Sequence, residues 1–171
     1  MIKLDLVANI GFSITWKFIY YGFKGSEIFR DQLKASDIVN YAINCLQNED
    51  ADALIDELAC TYPDEEDSVH HILHQLATQE ISDEDLELRK WQYIYVMQHF
   101  PRKNENYING LIELGDTWAA LDFPDHSPHV FQGVNNHIPP QSYYTMENYE
   151  RMYKKHLDWL VSEKECIQLL Q

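Results

Sequence analysis

Two groups of histidines are the residues whose types and spacing could do chemistry in this chain. His70, His71 and His74 lie close together in the sequence. On a helix, His70 and His74 share a face, with Glu66 one turn earlier. Two imidazoles and a carboxylate could hold zinc or another divalent cation. Asp67, His71 and His74 form a second such face. The pattern lacks the glutamate of H-E-x-x-H and has no recognisable distant ligand. It therefore reads as a polar face whose histidines temper nearby negative charge, and neither a metal nor another cofactor is expected. A pH-sensitive role stays open, because histidine titrates near neutrality. The second group is His126 and His129, beside Asp122 and Asp125. A histidine–aspartate pair can do acid–base work. No serine or cysteine nucleophile with a matching signature accompanies it, and no glycine-rich phosphate loop occurs anywhere. The constellation is incomplete, so the chain is not expected to be an enzyme.

The carboxylates carry a stronger pattern. Between Lys34 and Arg89 lie 54 residues with 15 Asp and Glu and no Lys or Arg. The rest of the chain balances 13 acidic against 13 basic residues, so the net charge of −15 belongs to that stretch alone. A one-signed surface focuses its field and selects cationic partners. Three clusters form it: Glu49, Asp50, Asp52, Asp56 and Glu57; then Asp64, Glu65, Glu66 and Asp67; then Glu80, Asp83, Glu84, Asp85 and Glu87. The plain alternative is a set of solvated helix faces that keep the protein soluble. Ordinary helix surfaces mix signs, which favours an interaction surface. Its expected contact residues are Glu49, Asp50, Asp52, Asp56, Glu57, Asp64, Glu65, Glu66, Asp67, Asp83, Glu84 and Asp85. A pI near 4.7 argues against direct binding to nucleic acid or anionic lipid. A basic protein partner is permitted.

The elements that must position these groups are helical. The chain has 171 residues, 45% of them apolar and 13% aromatic, which suits one folded domain over residues 1–171. Trp16, Ile19, Tyr20 and Phe23 share a helical face before Gly25. Ser26 can start a short helix through Leu33. Ser36 is a candidate N-cap for a helix with Ile38, Val39, Ala42, Cys45 and Leu46 as its stripe. Ala51, Leu54, Ile55 and Leu58 define the next, and Tyr62-Pro63 ends it. Asp64 to Asp67 make an acidic first turn before Val69, Ile72, Leu73 and Leu76. Ser82 with Asp85 resembles a capping box. The helix it opens is apolar nearly all round, from Leu86 to Met97, as a buried helix is. Tyr107 to Trp118 follow, then a proline-rich loop over Asp122 to Tyr144. Thr145 caps the last helix. Met1 to Val7 is the best strand candidate and equally fits a frayed helix start. The expected fold is all-α, a single-domain bundle of about seven helices with the proline-rich loop before the C-terminal helix.

The four tryptophans, all on helices, read as packing residues. Tyr143 and Tyr144 read as an exposed patch. Cys45, Cys60 and Cys166 have no CxxC spacing, and Cys45 and Cys60 fall at apolar helical positions, as buried thiols do. A reducing cytoplasm is the natural compartment. Leu4 to Phe23 is too interrupted by polar residues for a membrane span or a signal peptide.

The second half carries Lys90-Trp91 opening an aromatic helix and then Trp118-Ala-Ala-Leu-Asp-Phe-Pro124. Pro139-Pro140 and a final helix with Tyr153 and Trp159 follow. This order resembles a family of small bacterial proteins of unknown function. Ser13 to Tyr21 and Ile38 to Ala42 fit its first half. Leu121-Asp122-Phe123-Pro124 departs from the family's usual turn, and Ser26 to Leu33 reads as an insertion. The resemblance implies a single helical domain and transfers no catalytic residue. Some members look like immunity proteins of polymorphic toxin systems. The expected function is therefore a non-catalytic acidic binding protein that neutralises a cognate, basic toxin domain by covering its active surface. The alternatives are a structural or adaptor domain, and a metal-dependent enzyme using Glu66, His70 and His74.

Overall fold

The structure, a computed structural model, describes residues 3–25, 32–47 and 52–171. Among them the chain is all-α with no strand, as expected. The described helices are α1 (Leu4–Ile10), α2 (Trp16–Lys24), α3 (Ala35–Gln47), α4 (Ala53–Cys60), α5 (Glu66–Gln79), α6 (Glu84–His99), α7 (Tyr107–Ala119), α8 (Pro140–Tyr143) and α9 (Met146–Leu170). Of the two strand-or-helix readings of the N-terminus, the helix holds. Its stop is Gly11, whose φ of 89° is cheap only without a Cβ. The expected helix starting at Ser26 falls largely outside the described residues, as do Glu49, Asp50 and Ala51.

The chain forms two compact units, Met1–Trp91 with Leu170–Gln171, and Gln92–Leu169. In the first unit α3 packs on α4, and α2 packs on α5. The buried stripe is Ile38, Val39 and Ala42 of α3, Ile55 and Leu58 of α4, and Val69, Ile72, Leu73 and Leu76 of α5. These are the positions that 3.6-residue periodicity selects. The side chain of Thr15 accepts from the Phe18 N–H at 2.9 Å and caps α2. Two caps differ from expectation. Helix α3 starts at Ala35, before Ser36, because the Asp37 carboxylate reaches back to the Lys34 N–H at 2.9 Å. At α6 the cap is Asp83, not Ser82: its carboxylate accepts from the Asp85 N–H at 3.0 Å. A carboxylate holds a helix N-terminus better than a hydroxyl because its charge also meets the dipole.

Trp91 is the largest side chain in the first unit's core. Its ring stacks on Phe18 at 4.3 Å and 4°, and its Nε1–H donates to the Phe18 carbonyl at 2.8 Å. Beside it the Lys90 side chain is fully buried, with its ammonium 3.1 Å from the Glu87 carboxylate. That ammonium also donates to the Ser13 hydroxyl at 2.9 Å and the Ser13 carbonyl at 3.1 Å. Burial pushes the Glu87 carboxyl up, and Lys90 and the Thr15 hydroxyl pull against it. Periodicity correctly marked the start of α6 as buried, yet gave no sign that an ion pair lay within it.

The second unit has its own core of Leu111, Leu114, Tyr143, Tyr149 and Met152. Asn106 caps α7, accepting from Ile108 and Asn109 N–H groups at 3.0 and 3.2 Å. Tyr149 presses against α7 at Gly110, where a Cβ would come within 2.5 Å of the ring. Its hydroxyl accepts from the Asn104 N–H at 2.7 Å. Thr145 caps α9 as expected, accepting from the Asn148 N–H at 3.2 Å.

The packing expectations divide. Trp91, Trp118 and Trp159 are buried. Trp16 is half-buried and meets Tyr41 edge-on at 5.3 Å. Cys60 is exposed and Cys45 only half-buried, because neither lies on the innermost face of its helix. Tyr143 is buried rather than part of an exposed patch, since α8 turns its ring into the second core. Tyr144 faces solvent.

Candidate functional site

The acidic residues lie in the first unit. Asp52 caps α4, accepting from the Leu54 N–H at 2.8 Å. Asp56 and Glu57 stand on the outer face of α4. Asp64 and Glu65 form the turn that follows, and Glu66 and Asp67 open α5. Asp83 caps α6, whose first turn carries Glu84 and Asp85. All ten of these residues are exposed. Helix α4 packs on α5, so the carboxylates of both helices and of the turn between them lie on adjoining elements. Two members of the sequence run have inward tasks. Glu80 accepts from the Lys17 N–H at 2.9 Å, and Glu87 is buried with Lys90. Glu84 accepts from the Tyr21 hydroxyl, which burial and this carboxylate together push up.

Among the described residues, the histidines of α5 gather no metal-ligand set. The rings of His70 and His74 lie against Tyr20, at 5.6 and 5.3 Å between centroids. Glu66 is exposed, and among the described residues no three His, Cys, Asp or Glu side chains converge. The spacing put both imidazoles on one face as expected. That face packs on α2, and packing against an aromatic ring leaves them as contact groups.

The loop histidines form a different site in the second unit. After α7 the chain reverses through Asp122 and Phe123, both left-handed with φ of 53° and 54°. The Phe123 N–H returns to the Trp118 carbonyl at 3.1 Å. The loop beyond is built around Asn136. Its amide donates to the carbonyls of Phe131 and Val134 at 2.7 and 2.6 Å, and its oxygen accepts from Gly133 and Ile138 at 3.2 Å.

That scaffold buries His129. Its Nε2 lies 3.1 Å from the Tyr143 hydroxyl, and its ring meets His156 at 5.4 Å. His129 is buried, whereas Asp122 and Asp125 of the same loop are exposed. Both aspartates point to solvent, because the loop turns the His129 ring inward. His126 stays exposed and stacks near Trp159 at 6.1 Å. Burial, then the neighbouring His156, holds His129 down at about 3. Burial also lowers His156, against a hydrogen bond from its Nδ1–H to the Met152 carbonyl at 2.6 Å. Burial and Tyr144 push the Tyr143 hydroxyl up to about 12. The imidazoles are thus neutral at physiological pH, and a group held near 3 is a poor base there. Buried nitrogens of Trp118, His129 and His156 have no hydrogen-bond partner.

Above His129 opens a cleft of about 300 Å³, walled by α7 and by Phe123, Phe131, Val134, Tyr143 and Tyr144. The sequence placed His129, Tyr143 and Tyr144 in the right loop. His156 and Trp118 were missed as site residues, because both are ordinary stripe positions on α9 and α7.

Together these features define an all-helical protein with exposed carboxylates on α4, α5 and the start of α6, and with an aromatic cleft over buried histidines. The chain belongs to the bacterial family described as "Uncharacterized protein conserved in bacteria (DUF2247)", which it matches over residues 4–164. No curated protein and no solved structure matches it. Among the described residues, no helix is long and apolar enough to cross a membrane.

Proposed function

We propose that this protein is a non-catalytic binding protein, working in the cytoplasm, that takes a basic protein partner on the acidic face of α4, α5 and the start of α6. The observation that carries this reading is the exposure of Asp52, Asp56, Glu57, Asp64, Glu65, Glu66, Asp67, Asp83, Glu84 and Asp85 on a stretch with no Lys or Arg. Among the described residues, Asp52 and Asp83 are tied as caps and Glu84 to Tyr21. The others are exposed on the surface of the first unit, where a partner could reach them. Resemblance to a family, some of whose members look like immunity proteins, makes a cognate toxin domain the preferred partner, neutralised by occlusion of a cationic active surface. Electrostatic steering suits that task, because complementary charge raises association rates toward about 10⁸ M⁻¹s⁻¹ or more at low salt.

The test is co-purification with the product of the adjacent gene, followed by stopped-flow association across a salt series. The expected rate falls steeply with salt. Reversing charge at Asp56, Glu65 and Glu66 slows association further and leaves dissociation less affected. A salt-independent rate, or unchanged binding by the charge-reversed variant, overturns the electrostatic reading.

A further inference from the structure

The cleft in the second unit is lined by four aromatic rings, those of Phe123, Phe131, Tyr143 and Tyr144. Phe123 and Phe131 meet at 4.8 Å and 89°, and Tyr143 and Tyr144 at 5.0 Å and 81°. Both perpendicular pairs line the same cleft. An aromatic face carries negative quadrupole density, so a cleft lined by several rings presents an attractive surface to a cation. The backbone is also strained to provide one wall. Phe123 is left-handed, yet the residue remains 52% exposed. A bulky residue at positive φ marks a position that the surrounding fold enforces.

Charge within the cleft has the matching sign. Asp116 is the one carboxylate among the lining residues, and no Lys or Arg lines it. His129, at its base, is buried and neutral, so it does not repel a cation. Gly115 leaves the wall beside His129 Nε2 without a side chain. A bare metal ion needs more oxygen or nitrogen donors than these walls supply, and an anion would meet Asp116.

We propose that this cleft binds a small organic cation with an alkylated ammonium group, seated against Phe123, Phe131 and Tyr144 and balanced by Asp116. The cleft is the size of a small-molecule site, which favours a free metabolite over a macromolecular side chain. The inference is independent of the acidic face.

The test uses choline as probe on the full chain, following the Gly115 amide by NMR. A parallel titration uses choline's uncharged isostere, in which carbon replaces the nitrogen. Choline is expected to shift the Gly115 resonance and to bind about ten-fold more tightly than the isostere. Phe123→Ala, at an exposed ring, should weaken choline about ten-fold, and Asp116→Asn several-fold. An isostere that binds equally well would show an apolar cleft without cation selectivity and overturn the proposal. So would the absence of a choline-dependent shift, or undiminished affinity in a folded Phe123→Ala variant.

Discussion

The indole of Trp91 occupies the space that a side chain on Gly22 would need. A Cβ at Gly22 would lie 2.2 Å from Trp91 Cζ2 and 2.9 Å from a Leu33 methyl. The Gly22 carbonyl accepts from the Gln32 and Leu33 N–H groups at 2.8 and 3.0 Å, so α2 cannot simply slide away. Alanine normally favours a helix over glycine by about 1 kcal/mol. Here overpacking should reverse the sign. Gly22→Ala is expected to lower stability by about 2 kcal/mol net, read from the urea midpoint. An unchanged or raised midpoint would refute the close approach.

The Lys90–Glu87 pair makes a second case. Its two side chains are 0% and 2% exposed. Lys90→Met alone should cost about 3–5 kcal/mol, because it strands a buried carboxylate. Lys90→Met with Glu87→Leu should recover most of that loss, because neither charge then needs a partner. Chemical denaturation of the wild type, Lys90→Met, Glu87→Leu and the double variant completes the cycle. A double variant as weak as Lys90→Met would contradict the buried-pair account.

Acid should destabilise the second unit. The folded pKa of His129 lies near 3, below its unfolded value of 6.5, and His156 is shifted the same way. The unfolded chain therefore binds more protons as pH falls below 6.5. His129 contributes stability that is complete above that value and is lost toward 3, at up to about 1.4 kcal/mol per pH unit. His129→Gln should flatten the slope of unfolding free energy between pH 6 and pH 4. A slope identical to wild type would refute the buried neutral imidazole.

Added salt should stabilise the first unit. The exposed carboxylates of α4, α5 and the α6 start repel one another with no basic residue between them. Screening shortens that repulsion to about 8 Å at physiological ionic strength. The melting temperature is expected to rise from low to moderate NaCl and then level off. A fall over that range would mean that attractive pairs dominate.

The loop after α7 should depend on one side chain. Asn136 bridges four backbone groups of the loop. Asn136→Ala should speed proteolysis within residues 124–138 while leaving helical content unchanged. Equal protease resistance would show that the loop is held by other contacts.

Helical periodicity was legible because burial of one face repeats with the geometry of the helix itself. Ile38, Val39, Ile72 and Leu73 could be placed inward from spacing alone, and Thr145 could be recognised as a cap from its neighbours. Exposure of the carboxylates followed from the cost of burying unpaired charge. Glu87 broke that rule because Lys90, one turn away, is buried with it and pairs with it. Ser36, Ser82 and Cys60 were misplaced because the nearest plausible residue type does not identify which backbone groups stand open.

What the sequence determined by itself was the local physics: an all-helical chain, its apolar stripes and the one-signed stretch between Lys34 and Arg89. What only the tertiary structure decided was which groups meet. Loop residue His129 finds Tyr143 and His156, rings of Phe123 and Phe131 stand at right angles, and Lys90 reaches Ser13 across 77 positions of chain. Such contacts depend on how helices pack and loops close, and no local period encodes them.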